Sequence, residues 1–89
     1  MLQTRVSPST ATGLPTVVTD EVPTGVIDGV NTIFTLANPV NGDSLKVYLN
    51  GLSQRTGASH DYTVLSATQI QFNDAPLPDD VVTVDYEYL

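Results

Sequence analysis

The stretch that decides the fold is Leu45-Lys46-Val47-Tyr48-Leu49-Asn50-Gly51. Apolar and polar residues alternate over five positions, which puts Leu45, Val47 and Leu49 on one face of a β-strand and Lys46 and Tyr48 on the other. Asn50 and Gly51 are the residue types that accept positive φ at both central positions of a type I′ hairpin turn. A two-residue loop then sets the register, with Leu49 opposite Leu52, Tyr48 opposite Ser53 and Val47 opposite Gln54. One pair further, Lys46 would face Arg55, a like-charge pair. The return strand is therefore expected to be short and to leave the sheet near Gln54.

The same two-residue period recurs on both sides. After the polar loop 55–60, Asp61-Tyr62-Thr63-Val64-Leu65 predicts a strand with Tyr62 and Val64 on one side. Gln69-Ile70-Gln71-Phe72 predicts another that buries Ile70 and Phe72. Asn73 to Asp80 contains two prolines and reads as a turn. Val81 to Tyr88 predicts the longest strand, with Val82, Val84, Tyr86 and Tyr88 on one face. Upstream, Asp28-Gly29 signals a turn before Asn31-Thr32-Ile33-Phe34-Thr35-Leu36, a strand that sends Phe34 and Leu36 inward and Ile33 outward. Helical period is found nowhere. Short strands with turn signals every eight to twelve residues predict an all-β fold. The expected form is a small antiparallel β-sandwich or partly open barrel of six to seven strands, its core including Leu45, Val47, Leu49, Leu52, Phe34, Ile70, Phe72 and Val84.

Residues 1–24 differ from the rest. Pro8, Pro15 and Pro23 are spread through a Ser- and Thr-rich segment, and proline removes a ladder donor, so a helix or central strand is not expected. Only Thr16-Val17-Val18-Thr19 has strand-like composition. The segment reads either as a disordered tail or as an extended arm that orders on a neighbour, reaching about 80 Å at roughly 3.3 Å per residue. The expected organisation is an arm over 1–24 and a β-domain over 25–89. Val17 and Val18 would give the arm something to bury. Lys46 and Tyr48, on the face opposite the core, and Arg55 in the following loop are the other candidates for contact with another chain.

Composition narrows the function. The chain has 89 residues, no cysteine and one histidine, which removes disulfides, thiolate chemistry and a histidine-rich zinc site. So small a core supplies little surplus stability, and association with itself or a larger body is the remaining route. Three basic against ten acidic residues give a net charge of −7, which argues against nucleic acid and anionic membranes as partners. No apolar run approaches the roughly 20 residues of a membrane span. Met1 to Arg5 leads into no apolar segment, so no signal peptide and no secretory export are expected.

His60 and Asp61 with nearby serines can be drawn as a hydrolytic triad, but no Gly-x-Ser-x-Gly elbow is present. Asp74, Asp79 and Asp80 could offer oxygens to calcium, yet they lack EF-hand spacing and suit an ordinary turn. No glycine-rich phosphate loop occurs. No cofactor is expected. The tyrosines fit core or rim packing, with Tyr48 also able to anchor an interface.

The order of motifs over residues 24–88 resembles a small β-domain of tailed-bacteriophage virion proteins. The resemblance runs through Thr24-Gly25, Asp28-Gly29-x-Asn31-Thr32-x-Phe34-Thr35-Leu36, Pro39 and the Leu45–Gly51 stretch. It continues with Asp61-Tyr62-Thr63, Ile70-x-Phe72, Ala75-Pro76, Asp79-Asp80 and Val82-Thr83-Val84-Asp85-Tyr86. It implies a non-enzymatic building block of the particle, located in the virion and assembled in the host cytoplasm. A lone domain behind an arm suits a capsid decoration or cement protein, expected as a homotrimer bound to the major capsid protein or other virion proteins. A tail, fibre/baseplate or head-to-tail adaptor protein is the alternative.

Overall fold

The computed structural model describes residues 14–89. It is all-β, with seven strands: β1 (Thr16–Glu21), β2 (Ile33–Thr35), β3 (Lys46–Leu49), β4 (Leu52–Ser53), β5 (Tyr62–Ser66), β6 (Gln69–Phe72) and β7 (Val82–Tyr88). They form two antiparallel sheets, ordered β1-β7-β3-β4 and β2-β6-β5. The architecture is the expected small antiparallel β-sandwich or partly open barrel. Its core is the inward-facing set that the alternation marks: Phe34, Leu36, Val47, Tyr62, Ile70, Phe72, Val82, Val84 and Tyr86 are all buried. Phe34 meets Phe72 edge to face at 5.6 Å between centroids, joining β2 to β6 through the ring geometry that aromatic quadrupoles favour.

The β3–β4 hairpin has the predicted register. Leu49 faces Leu52 and Tyr48 faces Ser53, Asn50 and Gly51 take φ of 53° and 82°, and the return strand ends at Ser53. Asn50 also does something the hairpin alone does not require. It exchanges hydrogen bonds with Val81, the residue just ahead of β7: Asn50 N donates to Val81 O at 2.7 Å, and Val81 N donates to Asn50 Oδ1 at 2.8 Å. Asn50 Nδ2 donates to Asp80 Oδ1 at 3.0 Å. The turn is thereby fixed to the start of the central strand.

Two inward-pattern residues depart from expectation. Leu52 is 70% exposed and Val64 50% exposed. Leu52 lies on β4, a two-residue edge strand, and Val64 lies on β5, the edge of the other sheet. Alternation tells which face a residue takes, but at an outer strand no opposing sheet need cover that face.

The folded part also begins earlier than residue 25. Thr16, Val17 and Val18 pair with Tyr88, Glu87 and Tyr86, and after a bulge Glu21 pairs with Val84. Asp20, at φ 55°, sits in the bulge and donates its amide to Asp85 Oδ1 at 2.9 Å. The chain then crosses to the second sheet, where Thr24 and Thr35 exchange backbone hydrogen bonds of 2.8 and 2.9 Å. Thus the segment expected as an arm contains an edge strand of its own chain's sheet. The remainder of the expected arm, residues 1–13, lies outside the described residues.

Candidate interaction surfaces

β1 is fastened by one polar cluster. The Tyr86 hydroxyl donates to Glu21 Oε1 at 2.6 Å and accepts from Asn38 N at 3.2 Å and Asn38 Nδ2 at 3.3 Å. Glu21 Oε2 accepts from Ala37 N at 2.9 Å. The hydroxyl of a buried ring is thus satisfied at the rim, as a core tyrosine requires. Burial first, and then the hydrogen bond to Glu21, hold the Tyr86 phenol above its ordinary pKa. The cluster joins β1, β7 and the connection after β2, and its role is mechanical.

The five interface candidates divide by geometry. Val17 pairs with Glu87, Lys46 with Asp85, and Tyr48 with Thr83 and Ser53. Because Val82, Val84 and Tyr86 point inward, these pairs lie on the outward face of the four-stranded sheet. Val17, Lys46 and Tyr48 therefore share one surface, and a shallow hollow of about 300 Å³ lies between Val17, Lys46, Asp85 and Glu87. Val17 and Lys46 are exposed and Tyr48 is half-buried. Val18 faces the other way, opposite Tyr86, and packs against the core. Arg55 sits apart, exposed on the loop between β4 and β5.

That loop is held by backbone contacts. Asp61 Oδ2 accepts from Arg55 N at 2.8 Å, while Asp61 N and Tyr62 N donate to Arg55 O at 2.9 and 3.2 Å. The Asp61 carboxylate is therefore spent on closing the loop, and His60 beside it is exposed. Asp80 is similarly engaged: besides Asn50, its Oδ2 accepts from Leu77 N at 2.8 Å. Among the described residues, no three His, Cys, Asp or Glu side chains gather as metal ligands would.

The alternation does not predict a cleft that opens between β5 and the connection leading into β3. It has a volume of about 420 Å³ and is walled by Val40, Leu45, Tyr62, Val64, Ala67 and Ile70. Its size falls in the range of ligand pockets, and its walls are largely apolar. No periodicity could reveal it, since it arises where inward-facing residues of edge strands meet no partner.

We found no family model that matches the chain, and no curated protein or solved structure that is similar to it. The fold and its surfaces therefore carry the functional argument together with the residue pattern.

Proposed function

We propose that this chain is a non-enzymatic structural protein of a tailed-bacteriophage virion, a capsid decoration or cement protein that binds and stabilises the outer capsid surface. The observation that supports a binding role is the outward face of the four-stranded sheet. Val17, Lys46 and Tyr48 stand together there on a rigid β framework, with Val17 66% exposed. Apolar and amphipathic side chains on a shallow, sheet-borne patch suit association better than chemistry. The particle assignment rests on the motif order over residues 24–88. On this reading the chain forms a homo-oligomer and docks on the major capsid protein or another virion protein.

The test is the copy number and position of the protein in purified particles. Parity with the major capsid protein, with loss of particle binding by Val17→Ser or Tyr48→Ala, supports decoration. A few copies confined to the tail support the tail, fibre/baseplate or adaptor reading. Absence from particles refutes both. Point substitutions are the right perturbation, because deleting residues 1–24 would also remove β1 and the Glu21 partner of Tyr86. A cell-wall or glycan hydrolase activity abolished by His60→Ala would overturn the non-enzymatic reading.

A further inference from the structure

One end of the sandwich carries two turns, residues 26–31 before β2 and residues 73–81 between β6 and β7, beside the Asn50-Gly51 hairpin turn and the loop that enters β5. The two turns are locked together. Gly29 N donates to Pro76 O at 2.9 Å, and Gly29, at φ 79°, lies against Leu77 and Pro78. Asp28 Oδ1 caps its own turn by accepting from Val30 N at 2.9 Å and Asn31 N at 2.8 Å. Asn31 Nδ2 reaches back to Val26 O at 3.1 Å. The second turn is closed by Asp80 N to Leu77 O at 2.9 Å and by the Leu77 N contact to Asp80. Pro76 between them is buried.

These fixed turns hold apolar side chains out to solvent. Val30 is 80% exposed, Leu77 62% and Val26 62%. None is needed by the turns, whose geometry comes from Asp, Asn, Gly and Pro. Around them stand Asp28, Asp74 and Asp79, all exposed. Lys46 lies away from the turns, opposite Asp85 within the sheet. Arg55 and His60 belong to the loop that enters β5, which borders the second turn where Asn73 Nδ2 donates to Ala58 O at 3.2 Å and Asn73 N to Asp61 O at 3.0 Å, so the acidic rim has these two groups on one side only. Thr16, which pairs with Tyr88, and Leu89 are both at the opposite end of the sandwich.

We propose that these two turns form a docking face for a basic protein surface, with Val30 and Leu77 as apolar anchors and the carboxylates of Asp28, Asp74 and Asp79 as its charged rim. Charge selects the partner: like charge would repel, and a basic rim around an apolar recess would be steered in and seated. Pre-organised turns lose little freedom on binding, so the anchors can contribute most of their burial to affinity. The inference goes beyond the particle reading: it adds, at the turn end of the sandwich, a second surface distinct from the outward face of the four-stranded sheet.

The test is an amide-shift titration of the whole labelled protein with a monomeric peptide of about a dozen residues that carries several arginines and two leucines. Controls replace its leucines by serine or its arginines by glutamate. Shifts confined to residues 26–31, 50–52 and 73–81 are expected, with affinity that falls as salt rises. Val30→Ser or Leu77→Ser should weaken binding about tenfold, the loss of one anchor. Asp74→Asn with Asp79→Asn should flatten the salt dependence. Equal binding of the serine control, shifts spread over the Asp85 and Glu87 face, or no binding at about 1 mM peptide would each overturn the proposal. The peptide result is independent of particle binding, so failure of the virion reading and failure of this one are distinguishable.

Discussion

Removing the Tyr86 hydroxyl tests how β1 is held. In Tyr86→Phe the ring remains to fill the core, while Glu21 Oε1 loses a 2.6 Å donor and the Asn38 amide groups lose their acceptor. Hydrogen bonds to a charged group contribute roughly 1.5–3 kcal/mol. Glu21 is only half-buried on an edge strand, so water can reach the orphaned oxygen, and the lower end applies: a loss of about 1.5 kcal/mol. Glu21→Gln keeps one acceptor oxygen for two donors, Tyr86 and Ala37, and should cost about 1 kcal/mol. If the two side chains act through one bond, the double variant should cost about 1 kcal/mol less than the sum of the singles. Urea denaturation of the four proteins gives these differences, and amide exchange in residues 16–21 should rise in each variant while residues 69–72 stay protected.

The alkaline limb supplies a second reading of the same bond. The Tyr86 phenol is raised above its ordinary value of 10.0, by burial and then by Glu21. A group whose folded pKa is raised contributes fully below its unfolded value and loses that contribution as pH climbs through the folded one. Stability should therefore fall above about pH 10 in the parent and fall less steeply in Tyr86→Phe. The slope that persists belongs in part to Tyr62, whose phenol is also raised by burial. Strict additivity of the two substitutions, or an alkaline limb unchanged by Tyr86→Phe, would refute the clamp.

Two further predictions concern the core and the acid limb. Gly25→Ala would drive a Cβ into the Phe34 ring, with Cε2 at 2.8 Å and Ile33 O at 3.0 Å; Phe34 is fully buried, and the overpacking should cost about 1–3 kcal/mol in the same denaturation assay. Asp28 and Asp80 are held below the ordinary 3.8, Asp28 by the amides of Asn31 and Val30, Asp80 by the Asn50 side chain and then the Leu77 amide. Depressed carboxylates stabilise above the unfolded pKa and lose that contribution as pH falls through the folded values, so an acid limb should open below about pH 4. Asn50→Ala removes the larger cause at Asp80 and should make that limb shallower in an acid titration followed by circular dichroism.

Much of the interior was legible because burial in a sandwich follows a strict period of two. Phe34, Val47, Ile70, Phe72, Val82, Val84 and Tyr86 all lie inward as the alternation requires. The hairpin was legible because Asn50-Gly51 specifies both the turn and the register. β1 was harder to read. Its prolines, at 15 and 23, bracket the strand rather than interrupt it, and its polar fastening joins Glu21 to a residue 65 positions away. No local pattern announces a bond across that separation. Leu52 and Val64 misled for the complementary reason, since their faces were right and the missing neighbour was a property of sheet order.

The same distinction identifies which surface residues ask for a partner. An exposed Leu52 or Val64 continues a strand's alternation, so its apolar character is accounted for within the chain. In the turns, Asp28, Asn31, Asn73 and Asp80 each accept or donate a hydrogen bond that shapes the backbone. Gly29 holds a positive φ and Pro76 is buried. Val30 and Leu77 do neither: no period places them, and although Leu77 borders Gly29, both stay mostly exposed. Exposed single apolar residues are common on protein surfaces and need no explanation. Here the two belong to turns that Gly29 and Pro76 join by a hydrogen bond, on a rigid end edged by carboxylates, and that conjunction is what points outside the chain.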